Sequence, residues 1–180
     1  MKALNYALAV IATLLLLFCL NGILKPKVSF ELFAKIDKPI EKSWPLLQDK
    51  FNLSNLLEDV QETEYVYGNP GTIGSASDIY INSDGNHQII RQVITEITPN
   101  KSISILSESK FKNVEYQLSA VEHNDTTYLT SKITYKGNNL FTKSYIALTG
   151  SSLVEKEELN FRNFLNSVSD TNLKKFNAIE

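Results

Sequence analysis

Few residues in this 180-residue chain could do chemistry by themselves. His87 and His123 each stand beside a turn-forming stretch, where a solvated surface position is the plain reading. The single cysteine, Cys19, lies inside an apolar run. No disulfide can therefore form within the rest of the chain, and two separated histidines give zinc no ligand set. The run Gly68-Asn69-Pro70-Gly71-Thr72-Ile73-Gly74 has the glycine content of a phosphate cradle. It leads into a strand pattern, however, and lacks the Lys-Ser/Thr pair that would hold phosphate and metal, so a turn or a lid fits better. Glu155, Glu157 and Glu158 read as the solvated face of a helix rather than an acid–base pair. No catalytic residue, metal ligand or cofactor is assigned.

Binding chemistry is better represented. Arg91 sits mid-strand among Ile89, Val93 and Ile97, on a face that could point inward. An inward guanidinium would grip a carboxylate or phosphate through its planar fork. The competing reading places it on the outer face or pairs it with a nearby Glu. Trp44, Tyr65, Tyr67, Tyr116 and Tyr135 are the aromatic candidates for lining a cavity, against the alternative that they are ordinary core.

The elements that must position these side chains follow from periodicity. Val28 to Asp37 alternates, with Val28, Phe30, Leu32, Ala34 and Ile36 on one side, and predicts a half-buried strand. Pro39 opens a helix carrying Ile40, Trp44, Leu47 and Phe51 at helical spacing, which Pro45 limits or bends. A short second helical piece follows over Leu53 to Glu58. Strands are predicted at Val60–Tyr67, Ile73–Asn82, His87–Thr98, Ile103–Glu108, Asn113–Glu122 and Thr127–Lys136. The hairpin turn Ser83-Asp84-Gly85-Asn86 separates the second and third of these. Leu140 to Leu148 and Ser152 to Ser169 read as a long C-terminal helix, broken near Gly150. Strands joined by tight turns make an antiparallel meander, and the economical packing curls that sheet around the final helix.

The segment LKPKVSFELFAKIDKPIEKSWPLL and the turn Gly71-Thr72-Ile73-Gly74 resemble START-like domains, also called SRPBCC, polyketide-cyclase/dehydrase-like or Bet v 1-like. The resemblance runs from about Val28 to Ser169 and implies an α+β helix-grip fold enclosing a ligand cavity. Such domains often carry a second tryptophan after the first helix. Here the region reads FNLSNLLEDV, so the lip of the pocket differs on that side.

Ahead of this domain lies Ala3 to Leu24, uncharged over about 22 positions and roughly 33 Å long as a helix, enough to cross a bilayer. The chain divides into an anchor and junction over 1–27, a domain over 28–170, and a frayed tail over 171–180. An uncleaved single transmembrane helix fits the stretch best. A cleaved signal is the second reading, although Leu20 before Gly22 suits a cleavage site poorly, and Phe18 before Cys19 argues against lipidation. Lys25, Lys27, Lys35, Lys38 and Lys42 after the span, against Lys2 before it, favour a cytoplasmic domain. Counting only Lys25 and Lys27 makes the bias nearly even. With 18 basic and 20 acidic residues, a net charge of -2, only two arginines, Arg91 and Arg162, and no dense Lys/Arg stripe, no nucleic-acid partner is expected. The expected partners are a membrane, through the N-terminal helix, and a small hydrophobic or lipid-like ligand. A cyclase- or dehydratase-like enzyme using the same cavity, or a pocketless interaction module, are the alternatives.

Overall fold

The structure, a computed structural model, describes residues 2–57, 59–83 and 86–168. The Ser83–Asn86 turn, the end of the short helix at Glu58 and the tail over 171–180 lie wholly or partly outside the described residues. Helix α1 (Lys2–Leu24) is 23 residues long and apolar enough to cross a membrane, a property that signal sequences share. Strand β1 (Lys27–Ile36) follows, then α2 (Ile40–Lys50) and α3 (Leu53–Leu56). Six strands succeed them: β2 (Val60–Tyr67), β3 (Ala76–Ser83), β4 (Asn86–Thr98), β5 (Ser102–Glu108), β6 (Lys112–His123) and β7 (Thr126–Gly137). Two helices end the described chain, α4 (Leu140–Leu148) and α5 (Gly150–Val168).

The seven strands form one antiparallel sheet in the order β1-β7-β6-β5-β4-β3-β2. Each neighbour in the run from β2 to β7 is also the neighbour in sequence, and β1 closes on β7. Alternation sorts the side chains as the pattern requires. Leu32, Ile36, Ile103, Ile105, Val114, Tyr116, Leu118, Leu129, Ile133 and Tyr135 are buried on the face that α5 covers. From α5 come Phe161, Phe164, Leu165 and Val168, and from α2 and its neighbour Trp44, Leu47 and Phe51. Rings interlock across this core: Phe51 meets Phe164 edge-on at 5.6 Å, and Phe161 stacks on Phe164 at 6.0 Å.

Helix α2 runs through Pro45 rather than ending there. The missing N–H costs it one bond in the middle of an 11-residue helix whose Trp44 and Leu47 are held by the core, and that burial outweighs the loss. The break near Gly150 is real. Asn139 caps α4 through a reciprocal capping box with Thr142, α4 ends at Leu148 with Thr149 as its C-cap, and α5 starts as a separate helix at Gly150.

Candidate functional site

A cavity of about 500 Å³ opens between the two small helices and the free half of the sheet. Pro45, Gln48 and Asp49 of α2 and Phe51, Asn52 and Ser54 of the α2–α3 corner form one wall. Thr63 and Tyr65 of β2, Ala76, Ser77 and Ile79 of β3, and Gln92 and Ile94 of β4 form the other. Pro70, Gly71 and Ser75, from the glycine-rich loop, make the rim. Gly68, Gly71 and Gly74 of that loop all have positive φ, at 77°, 75° and 81°, which explains the residue type there. The loop is a turn at a cavity mouth, with no helix behind it to turn it into a phosphate cradle.

The cavity is open because α2 and α3 stand away from β2–β4 while remaining tied to them at one point. The Leu53 N–H, free at the start of α3, donates to the Gln92 side-chain oxygen at 2.6 Å. Gln92 is 7 % exposed and reaches across from the middle of β4. Asn52 caps the same short helix by accepting from the Asn55 N–H. The lining is mixed. Ile79, Ile94, Phe51 and Tyr65 supply apolar surface, while Ser77, Gln92, Gln48, Asn52 and Thr63 supply neutral donors and acceptors. Asp49 is the only charged residue among those lining it.

The other half of the cup is filled. Tyr116 of β6 and Tyr135 of β7 are buried beneath α5, and both donate a hydroxyl hydrogen bond to Oε1 of Glu157, the former at 3.1 Å. Asn160 donates to Oε2 of the same carboxylate at 3.4 Å. Glu157 is 3 % exposed. The reading of Glu157 as part of a solvated helix face is therefore corrected, while Glu155 and Glu158 are exposed. Glu157 occupies the α5 stripe that continues as Asn160, Phe161, Phe164, Leu165 and Val168. A carboxylate at i−4 from Phe161 and i−7 from Phe164 is the signal that spacing alone could have given. Burial, and next the charge of Glu157, push both tyrosine pKa values above their usual range. Lys112 lies with its ammonium 4.9 Å from the Tyr135 ring centre. Burial pulls its pKa down, and Glu157 acts in the opposite direction.

The aromatic and basic candidates are dispersed. Tyr65 lines the cavity. Trp44 is buried in the core behind α2, its indole N–H donating to Gln48 at 3.1 Å, and is absent from the cavity wall. Tyr67 is exposed, beyond a register shift in the β2–β3 pairing. Tyr116 and Tyr135 belong to the filled half. Arg91 points to the outer face of the sheet, where Nε and Nη2 each donate to Asp78 at 2.8 Å. That hydrogen bond holds the Asp78 carboxyl below its usual range. The inward orientation for Arg91 fails for a specific reason. Ile90, Gln92 and Ile94 face the core side, and a register shift between Ile94 and Glu96 then puts Ile97 on that side as well. Arg91 instead borders an open groove of about 850 Å³ on the outer face, together with Lys110, Lys136 and Lys143. His87 and His123 are both exposed. Among the described residues no cluster of histidine, cysteine or carboxylate is placed to hold a metal.

Several solved structures share the fold. The crystal structure of Ara h 8.0201 superposes with a TM-score of 0.58 at 14 % identity, covering 79 % of this chain and 97 % of that one. The Zhui aromatase/cyclase from Streptomyces sp. R1128 does so at 0.58 and 11 %, covering 79 % and 93 %. A protein of unknown function from Staphylococcus aureus, SA2116, matches at 0.59 and 11 %, with the same coverage of 79 % and 93 %. No protein-family model and no curated protein matches the sequence. At these identities the likeness establishes architecture alone. The chain has the helix-grip, Bet v 1-like fold of the SRPBCC domains, with an apolar helix set before it.

Proposed function

We propose that this protein is a membrane-tethered binding domain that takes one small amphipathic molecule, drawn from the bilayer, into the cavity between α2–α3 and β2–β4. The observation that carries the reading is that cavity: about 500 Å³, within the range of small-molecule sites. Its wall is apolar at Phe51, Tyr65, Ile79 and Ile94 and hydroxyl- or amide-bearing at Ser77, Gln92, Asn52 and Thr63. Such a wall suits a ligand with an apolar body and neutral polar groups. Asp49 at its edge disfavours an anion, and the guanidinium that would have gripped one is committed to Asp78 outside. Helix α1 would hold the mouth near molecules dissolved in the membrane and so raise their effective concentration. The cavity wall offers no histidine or cysteine, and Glu157 lies apart from it, hydrogen-bonded under α5. Binding is accordingly the reading preferred over cyclase-like chemistry.

The test uses the full chain in nanodiscs of a single synthetic phosphatidylcholine. Native mass spectrometry should find one small amphipathic molecule of defined mass carried through purification. Thr63→Trp, placed on the exposed strand at the cavity wall, should abolish that retention while leaving the fold intact. Absence of any co-purified molecule from the wild type, or retention unchanged in Thr63→Trp, would count against the reading.

A further inference from the structure

Helix α4 stands between the last strand and the long helix that the sheet grips, and it does not join the core along its whole length. Its sequence, LFTKSYIAL, buries Ser144 and Ile146. Phe141, Tyr145 and Leu148, at i, i+4 and i+7, are 69 %, 57 % and 56 % exposed. That stripe is large and apolar, and its first residue, Phe141, meets α1 while Tyr145 and Leu148 stay exposed. The Phe18 and Phe141 rings are 5.3 Å apart. At Gly22 a Cβ would meet the Ser144 hydroxyl and come within 2.7 Å of the Ser144 backbone nitrogen. Only glycine lets the two helices cross this closely.

Depth follows from helix geometry. Phe18 is seven residues before Lys25, roughly 10 Å along the axis at 1.5 Å per residue. Gly22 is three residues before it, roughly 4–5 Å. If the uncharged stretch fills the hydrocarbon and Lys25 and Lys27 sit at its edge, the α4 residues touching Phe18 and Gly22 lie inside that edge. The only charged residue of α4, Lys143, is turned away from the stripe and borders the outer groove beside Lys110 and Lys136. Phe111, 53 % exposed on the adjoining β5–β6 turn, shares this rim, its carbonyl accepting the Asn138 N–H at 3.0 Å.

We infer that α4 is a second membrane element: it lies in the boundary between headgroups and acyl chains, with Phe141, Tyr145 and Leu148 in lipid and Lys143 at the phosphate level. The inference rests on α1 spanning the bilayer, as proposed above. It adds that the domain is seated on the membrane in a fixed pose instead of swinging on a leash.

The experiment uses the full chain with Cys19→Ser, reconstituted in phosphatidylcholine vesicles containing doxyl-labelled lipid. An environment-sensitive nitrobenzoxadiazole label is attached in turn through Val10→Cys, Tyr145→Cys and Asp125→Cys, and the unlabelled Trp44 emission checks each fold. The Asp125 site lies on the β6–β7 turn, at the far end of both strands from Gly137, the end of β7 that leads into α4 at Leu140. Labels at Val10 and Tyr145 should both emit blue-shifted and be quenched by the doxyl lipid, and the label at Asp125 should not. Quenching at Val10 without quenching at Tyr145 overturns the inference and leaves the anchor standing; a blue shift at Tyr145 without lipid quenching does the same and assigns the stripe to a protein partner. No quenching at either position removes both readings.

Discussion

Replacing Glu157 by alanine strands three buried donors at once: the hydroxyls of Tyr116 and Tyr135 and the amide of Asn160. Leaving a buried polar group unpaired costs about 1–3 kcal/mol. The three share one carboxylate, so their losses overlap, and the truncated side chain adds a void. The expected destabilisation is about 3–5 kcal/mol, a large share of the roughly 5–15 kcal/mol typical of a domain. Glu157→Gln keeps the shape and one acceptor oxygen but sets an amide donor against other donors, and should lose about 1–2 kcal/mol. The triple variant Tyr116→Phe/Tyr135→Phe/Glu157→Leu removes the acceptor together with two of its donors. It should recover to within about 2 kcal/mol of the parent, because an apolar set of similar shape leaves little unsatisfied. Urea unfolding of the full chain in detergent micelles reads all of these through Trp44, the only tryptophan, 4 % exposed in the fold. Were Glu157→Ala to lie within about 0.5 kcal/mol of the parent, the carboxylate would be solvated and the reasoning wrong. A triple variant weaker than Glu157→Ala would equally refute it, since the damage would then come from lost packing and not from orphaned donors.

The same cluster fixes an alkaline limit. Tyr116 and Tyr135 keep their protons in the fold while unfolded tyrosine gives its proton up near pH 10, so the folded state binds more protons there. Stability should fall above about pH 10, by up to about 1.4 kcal/mol per pH unit for each tyrosine, and the double Phe variant should lose that slope. Lys112, its pKa lowered by burial, works in the other sense: its contribution rises as pH climbs toward the ordinary lysine value of 10.5. Denaturation followed from pH 7 to 12 separates the two through Lys112→Met. At the open end, Gln92→Leu removes the acceptor for the Leu53 N–H and should cost about 1–3 kcal/mol. Amide exchange at Leu53 should quicken with it, while an unchanged rate would show that α3 is held by packing alone.

Much of this architecture is written in local patterns. The alternation Val28-Phe30-Leu32-Ala34-Ile36 and that of Val114-Tyr116-Leu118-Ala120 reads out both strands and their core-facing sides, because a one-residue slip would move every apolar side chain into water. The uncharged run before Lys25 declares a helix that needs no other chain segment to satisfy its backbone. Pro39, Asn139 and the glycines of the 68–74 turn mark element ends by their own backbone preferences.

Where local pattern is silent, only assembly decides. In β4 the sequence is apolar on both faces, Ile89 and Val93 on one and Ile90 and Ile94 on the other, so the side that Arg91 takes depends on pairing with β3 and β5 and on the register shift at Ile94–Glu96. Glu157 sits in the polar-looking stretch Glu155-Lys156-Glu157-Glu158. Its burial is stabilised by hydroxyls that arrive from β6 and β7, 41 and 22 residues earlier in the chain. The cavity is decided in the same way. Tyr65 meets it and Tyr116 does not, because α5 closes over one half of the sheet while α2 and α3 stand off from the other. Periodicity records which face of an element is apolar; what that face meets is a property of chain segments far apart in sequence, and it exists only once they have packed.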